Sequence, residues 1–204
     1  MPLSISFELS DQDIEHFVAA QRSATSAAGS KGPEEIIAAA AQLLEGALKA
    51  KVPDFVQERL AKLDNLIAML RDEGWSLPEE DRKRVLAALV YFVDPSDVIP
   101  DSVPVLGYLD DAIMIELCVR DLKHEIDAYD DFCDFRETEA RRLGQEPSKV
   151  GRCDWLDARR DELQNRMHLR REREFGVGYG NSSGYASGKT YLNRSWRPSL
   201  FTMR

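Results

Sequence analysis

Apolar positions recur at spacings of three and four residues over most of this chain, which is the period of a helix buried along one side. Pro33, Glu34 and Glu35 open one such stretch, with proline and acids where a first turn favours them. Its apolar face is Ile37, Ala40, Leu44, Ala47 and Leu48. Pro53 starts the next helix, lined by Val56, Leu60, Leu63, Ile67 and Leu70, and Gly74 ends it. Ser76 and Glu79 have capping-box spacing and predict a helix running to about Val93. From about Asp110 to Leu143 the pattern predicts one long helix. Ala112, Ile115, Val119, Leu122, Ile126, Tyr129 and Cys133 follow it without a slip, as a packing seam does inside a bundle or across a dimer. Gly144 and Pro147 end this element, and residues 153–175 form a last helix whose weak apolar side is Trp155, Leu156, Leu163 and Met167.

The two ends read differently. Leu3, Ile5, Phe7 and Leu9 alternate with polar residues, a short strand-like pattern. Ser10 then suits an N-cap, with Asp11 and Asp13 in the first turn of a short helix, and residues 23–32 read as a flexible joint. Residues 176–204 hold four basic residues and no acidic one, with Tyr179, Tyr185, Tyr191, Trp196 and Phe201 interleaved among Gly, Ser and Asn. This composition predicts a flexible basic tail. The expected fold is all-α: a small helical bundle with a proline-rich acidic loop between two core helices. The expected segments are an arm and short helix over 1–32, a helical core over 33–143, a linker and charged helix over 144–175, and the tail over 176–204.

Composition narrows the setting. A hydrophobic fraction of 43 % is enough for a packed core and argues against global disorder. The start lacks a basic region followed by an apolar run, and the longest apolar run, Val85 to Val93, is too short to span a membrane. Cys118, Cys133 and Cys153 are odd in number and far apart, which fits a reducing compartment better than a disulfide framework or a paired-cysteine metal site. A cytoplasmic location is expected. Residues 94–134 carry 2 basic and 12 acidic side chains, net −10, whereas residues 135–204 carry 15 basic and 9 acidic, net +6. The acidic middle disfavours nucleic acid there, because phosphate backbones call for Lys and Arg. Only the tail suits such a ligand.

The acidic middle begins with a dense motif. Asp94, Pro95, Asp97, Pro100, Asp101, Pro104, Gly107, Asp110 and Asp111 follow the apolar run at fixed spacings, with Val98, Ile99, Val103, Val105 and Leu106 between them. Over residues 82–119 this stretch resembles the YkvA-type family, a widespread domain of unknown function. Its pattern is an apolar helix, an Asp-Pro-x-Asp-x-Ile-Pro-Asp run, then Pro, Gly and Asp-Asp before a second helix. The resemblance implies a small helical module, with some members membrane-associated, and supplies no established activity.

Each motif residue has a sufficient local structural task. Asp94 and Asp97 can cap the turn that Pro95 opens, and Asp101 can accept amide bonds in the next turn. Gly107 suits a positive φ, and Asp110 and Asp111 suit a helix N-terminus. Arg82, Arg84 and Arg120 are candidates to neutralise the carboxylates. The alternative is a divalent-cation site. If the two helices run antiparallel, Asp94, Asp97, Asp101, Asp110 and Asp111 converge as oxygen ligands for Mg, Ca or Mn, with metal-dependent hydrolysis as the catalytic extension. No EF-hand run is present.

Other constellations are weaker. His124 has Asp121, Glu125 and Asp127 near it in sequence and reads as a surface histidine paired with acids. His16 and His168 have no evident partners, and Cys118 and Cys133 read as packed thiols. Ser187, Gly188, Lys189 and Thr190 look like the end of a phosphate loop, but Ser183 stands where the first glycine belongs. The expected role is therefore a non-enzymatic helical interaction or scaffold module, at most peripheral to a membrane. Its expected contact is with a protein partner or a second copy through the 110–143 helix.

Overall fold

The computed structural model describes residues 10–27, 31–49, 52–93, 108–150 and 154–176. Among them there are seven α-helices, two 3₁₀ turns and no strand, as an all-α chain requires. The helices are α1 (Asp11–Ala27), α2 (Pro33–Lys49), α3 (Asp54–Arg71), α4 (Glu79–Leu89), α5 (Leu109–Asp121), α6 (Lys123–Arg142) and α7 (Asp154–Gly176). The 3₁₀ turns are Val90–Val93 and Pro147–Lys149. The strand-like start, the loop residues from Asp94 to Gly107, Cys153 and the tail beyond Gly176 lie outside the described residues. No helix of the described residues is long and apolar enough to cross a membrane.

Local chemistry sets the helix ends. Ser10 and Asp13 cap α1 reciprocally: the Asp13 carboxylate accepts the Ser10 amide at 2.8 Å and the Ser10 hydroxyl at 2.7 Å, and Ser10 Oγ accepts the Asp13 amide at 3.4 Å. These bonds to Ser10 hold the Asp13 carboxyl below its usual range. The Glu35 carboxylate accepts the Gly32 amide at 2.9 Å ahead of α2. Pro53 supplies the first acceptor of α3, its carbonyl taking the Val56 amide at 2.9 Å. At the end of α6, Gly144 has a φ of +67°. The Gln145 amide donates to the Ala140 carbonyl at 2.8 Å and the Gly144 amide to Arg141 at 3.2 Å, which together make a Schellman cap.

Four sequence expectations need correction. α1 runs on to Ala27 through residues expected to form the joint, because Ala19, Ala20, Ala24 and Ala27 are strong helix formers. α4 starts at Glu79, so Ser76 does not stand at its N-cap position. It has a φ of +45°, and the Pro78 carbonyl is the first acceptor, taking the Arg82 amide at 2.8 Å. The helix expected to reach Val93 tightens after Leu89 into a 3₁₀ turn. The single long helix is two. It breaks at Leu122, whose φ of −99° and ψ of 19° leave the helical range, and the Arg84 guanidinium takes the Asp121 carbonyl at 3.4 Å. The seam survives because the break is one residue long, and all seven of its residues are buried within the chain.

The chain divides into two compact units. Unit 1 combines residues up to Leu60 with Leu86–Cys118, and its core includes Ile37, Leu44, Val56, Leu60, Leu89, Met114 and Ile115. The Cys118 thiol donates to the Ala88 carbonyl at 3.3 Å, and Arg59 pairs with Glu116 at 3.3 Å. Unit 2 combines Ala61–Val85 with residues from Val119 onward, and its core includes Leu63, Ile67, Trp75, Leu122, Tyr129, Phe132, Leu163 and Met167. Within unit 2, α7 packs along α6.

The Gly144 cap gives a direct test. A Cβ there would meet nothing within 4 Å, so the penalty of Gly144→Ala comes from the backbone alone. Urea denaturation is expected to show a loss of roughly 1 kcal/mol. An unchanged midpoint would contradict the left-handed cap.

Candidate functional site

Of the nine Asp, Pro and Gly positions of the acidic motif, the structure describes Asp110 and Asp111. They occupy the second and third positions of α5, where aligned peptide dipoles favour negative charge, and both are buried. Asp94, Pro95, Asp97, Pro100, Asp101, Pro104 and Gly107 lie outside the described residues. Among the described residues, no group of three His, Cys, Asp or Glu side chains is placed to hold a metal ion. Arg82 and Arg84 belong to unit 2 and have partners within it. Arg82 donates to the Leu70 carbonyl at 2.7 Å, and Arg84 pairs with Glu125 at 3.1 Å.

Unit 2 carries the densest buried chemistry, arranged in two clusters. The first is built on Asp72, just past the end of α3. Its carboxylate accepts the amides of Gly74 at 3.0 Å and Trp75 at 3.3 Å, which forms the turn into α4. It also accepts the Tyr129 hydroxyl at 3.0 Å and both terminal nitrogens of Arg136, at 2.9 and 2.6 Å. That bidentate fork is the arrangement a guanidinium makes best with a carboxylate. Trp75 packs on Tyr129 and Phe132 with ring centres 5.8 and 5.1 Å apart, and the Arg136 guanidinium lies 5.1 Å from the Phe132 ring centre. Burial, then the nearby Cys133 and Asp72, push the Tyr129 hydroxyl well above its ordinary range, so it stays a donor. Burial works against the charge of Arg136, but the Asp72 carboxylate more than offsets it and raises that group. From α7, Gln164 donates to the Trp75 carbonyl at 2.9 Å.

The second cluster joins α4, α6 and α7. Asp81 and Glu125 are both 0 % exposed. One nitrogen of Arg171 bridges them, at 2.6 Å from Asp81 and 2.8 Å from Glu125. His168 Nε2 lies 2.7 Å from the other Asp81 oxygen. Both cations of Glu125, Arg84 and Arg171, sit on Oε1, and Oε2 meets no donor among the described residues. Burial opposes the Arg171 charge and the two carboxylates overcome it, raising the group. At the far end of α7, Glu174 takes Lys123 at 2.9 Å and His124 at 2.8 Å. These two bonds hold its carboxyl below the usual range.

Two histidines thus differ from their sequence reading. His124 pairs with Glu174, fifty residues away, and His168 has a buried partner in Asp81. Both bonds span helices distant in sequence, so no local spacing could announce them. Cys118 and Cys133 are buried free thiols, as expected. Both clusters form charge-assisted, helix-to-helix bonds. Chemically they hold helices in register and keep charges neutralised.

A family model described as a protein of unknown function (DUF1232) matches residues 82–117. The matched stretch covers most of α4, the Val90–Val93 turn, the acidic motif and most of α5. No curated protein and no solved structure matches the chain.

Replacing Arg171 by Met removes the cation shared by two buried carboxylates, leaving Arg84 on Glu125 and His168 beside Asp81, and is expected to cost about 2 kcal/mol or more in urea denaturation, with Arg171→Lys recovering only part. A loss below about 1 kcal/mol would contradict the bridge. The Glu174 carboxyl is lowered in the folded state, so its contribution is present above the usual carboxylate range and disappears as pH falls through the lowered value. The stability gap between wild type and Glu174→Gln should accordingly close on acidification. A gap that widens below the carboxylate range would contradict the pairing.

Proposed function

We propose that this chain is a non-enzymatic helical interaction module of the YkvA-like type, working in the cytoplasm and at most at the surface of a membrane. The observation that supports this reading is the use made of the buried charges. Asp72, Arg136, Asp81, Glu125 and Arg171 are matched to one another across helices, as in a rigid platform. The contact surface on this reading is the outward side of residues 110–143. Its seam residues face the chain's own core, while Arg120, Asp121, Lys123, Thr138, Arg141 and Arg142 are exposed. A partner there is a protein or a second copy with complementary polar groups, because the exposed positions, Leu143 apart, are charged or polar. Nucleic acid fits only the basic aromatic tail.

A second reading is favoured by the burial of adjacent Asp110 and Asp111 at the start of α5. Together with Asp94, Asp97 and Asp101 they would offer oxygen ligands to Mg²⁺, Ca²⁺ or Mn²⁺, with hydrolysis as the catalytic extension.

Two measurements decide between them. Light scattering at increasing concentration is expected to show association in wild type that Thr138→Arg weakens; among the described residues the Thr138 hydroxyl bonds within its own helix, to the Asp134 carbonyl. Association that Thr138→Arg leaves intact would contradict the assigned surface. Thermal melts with EDTA, or with each of the three ions, are expected to coincide. A rise of several degrees with an ion, lost in Asp111→Asn, would establish the cation reading instead.

A further inference from the structure

α1 is the one α-helix in which no described side chain is buried. Ile14, Phe17, Val18 and Ala20 are half-buried, and every other described side chain of this helix is exposed. Ile14, Phe17 and Val18 stand at positions i, i+3 and i+4, the spacing with which an amphipathic helix anchors in a groove. Within unit 1, α1 packs against the Val90–Val93 turn, and α2 packs against the same turn. Val90 and Tyr91 are buried there and Phe92 is half-buried, its ring edge-on to Tyr91 at 5.5 Å. The receiving surface thus includes part of the family-matched segment.

Three features make α1 separable from that surface. Its N-terminal cap is internal, made between Ser10 and Asp13, so the helix does not borrow a cap from the surface it covers. Half-burial returns only part of the transfer free energy of its anchors. The link to α2 contains Gly29 and Gly32 and no proline, and Gly32 has nothing within 4 Å of where a side chain would begin.

We infer that α2 and the Val90–Val93 turn form a helix-receiving groove, that α1 occupies it in cis, and that its occupant in trans is α1 of a second copy of this chain. The groove already complements this helix, and an exchanged α1 repeats every contact of the original, so exchange changes only the path of the link. The inference rests on the reading of the chain as an interaction module and adds a second surface to it.

The test uses the full chain and a fluorescent peptide of residues 10–27. Hydrogen exchange on wild type should show amides of residues 11–23 exchanging far faster than those of residues 36–47, because α1 opens without global unfolding. The peptide should bind saturably to the Phe17→Asp chain and at least about tenfold more weakly to wild type, whose own α1 competes at high effective concentration. A peptide carrying Phe17→Asp should bind neither. Adding Thr138→Arg to the Phe17→Asp chain should leave peptide binding unchanged, which separates this groove from the α5–α6 surface. No binding to the Phe17→Asp chain, equal binding to both chains, or α1 exchange as slow as that of α2 would overturn the inference.

Discussion

The carboxylate of Asp72 receives five hydrogen-bond donors: two backbone amides, a phenol and both ends of a guanidinium fork. Its side chain is only 5 % exposed and that of Arg136 is 3 % exposed, so neither charge has recourse to water. A buried ion that loses its partner is costly, whereas the matched pair is tolerated and fixes geometry. Here the geometry fixed is that of unit 2. Asp72 ends α3, its amide bonds shape the turn, and the turn presents Trp75 to Tyr129 and Phe132 of α6. α7 then takes the outer carbonyl of the same turn through Gln164.

The second cluster applies the same principle. Asp81 and Glu125 come from different helices, and like charges brought together in a core repel unless a cation sits between them. Arg171 of α7 is that cation. Helix α7 has few apolar anchors, chiefly Leu156, Leu163 and Met167, and its remaining length is held by charge. This explains a helix so rich in Arg, Asp and Glu that still packs along α6.

The helices were legible because burial leaves a periodic trace. Every seam position from Ala112 to Cys133 is buried, even though the helix carrying them is interrupted. The interruption was not legible: Leu122 is an ordinary helix former, and Arg84, which binds the Asp121 carbonyl beside it, is far away in sequence. The Ser76 cap was misread because spacing alone does not show that the backbone turns left-handed there, with the Ser76 amide bonded to the Asp72 carbonyl at 3.0 Å. Of the acidic motif, burial of Asp110 and Asp111 adds to what spacing offered, and Asp94, Asp97 and Asp101 lie beyond the described residues. The buried clusters escaped sequence reading because their members are single Asp, Glu, Arg and His residues scattered over a hundred positions. Their partnership exists only after folding.

Buried charge is thus the staple that holds unit 2 together. A double-mutant cycle with Asp72→Asn and Arg136→Met, read by urea denaturation, tests it most directly. The account predicts strong coupling, about 2 kcal/mol or more, with the double variant more stable than the sum of the single losses implies. Additivity within about 0.5 kcal/mol would mean that the pair does not hold the turn, and would contradict the account.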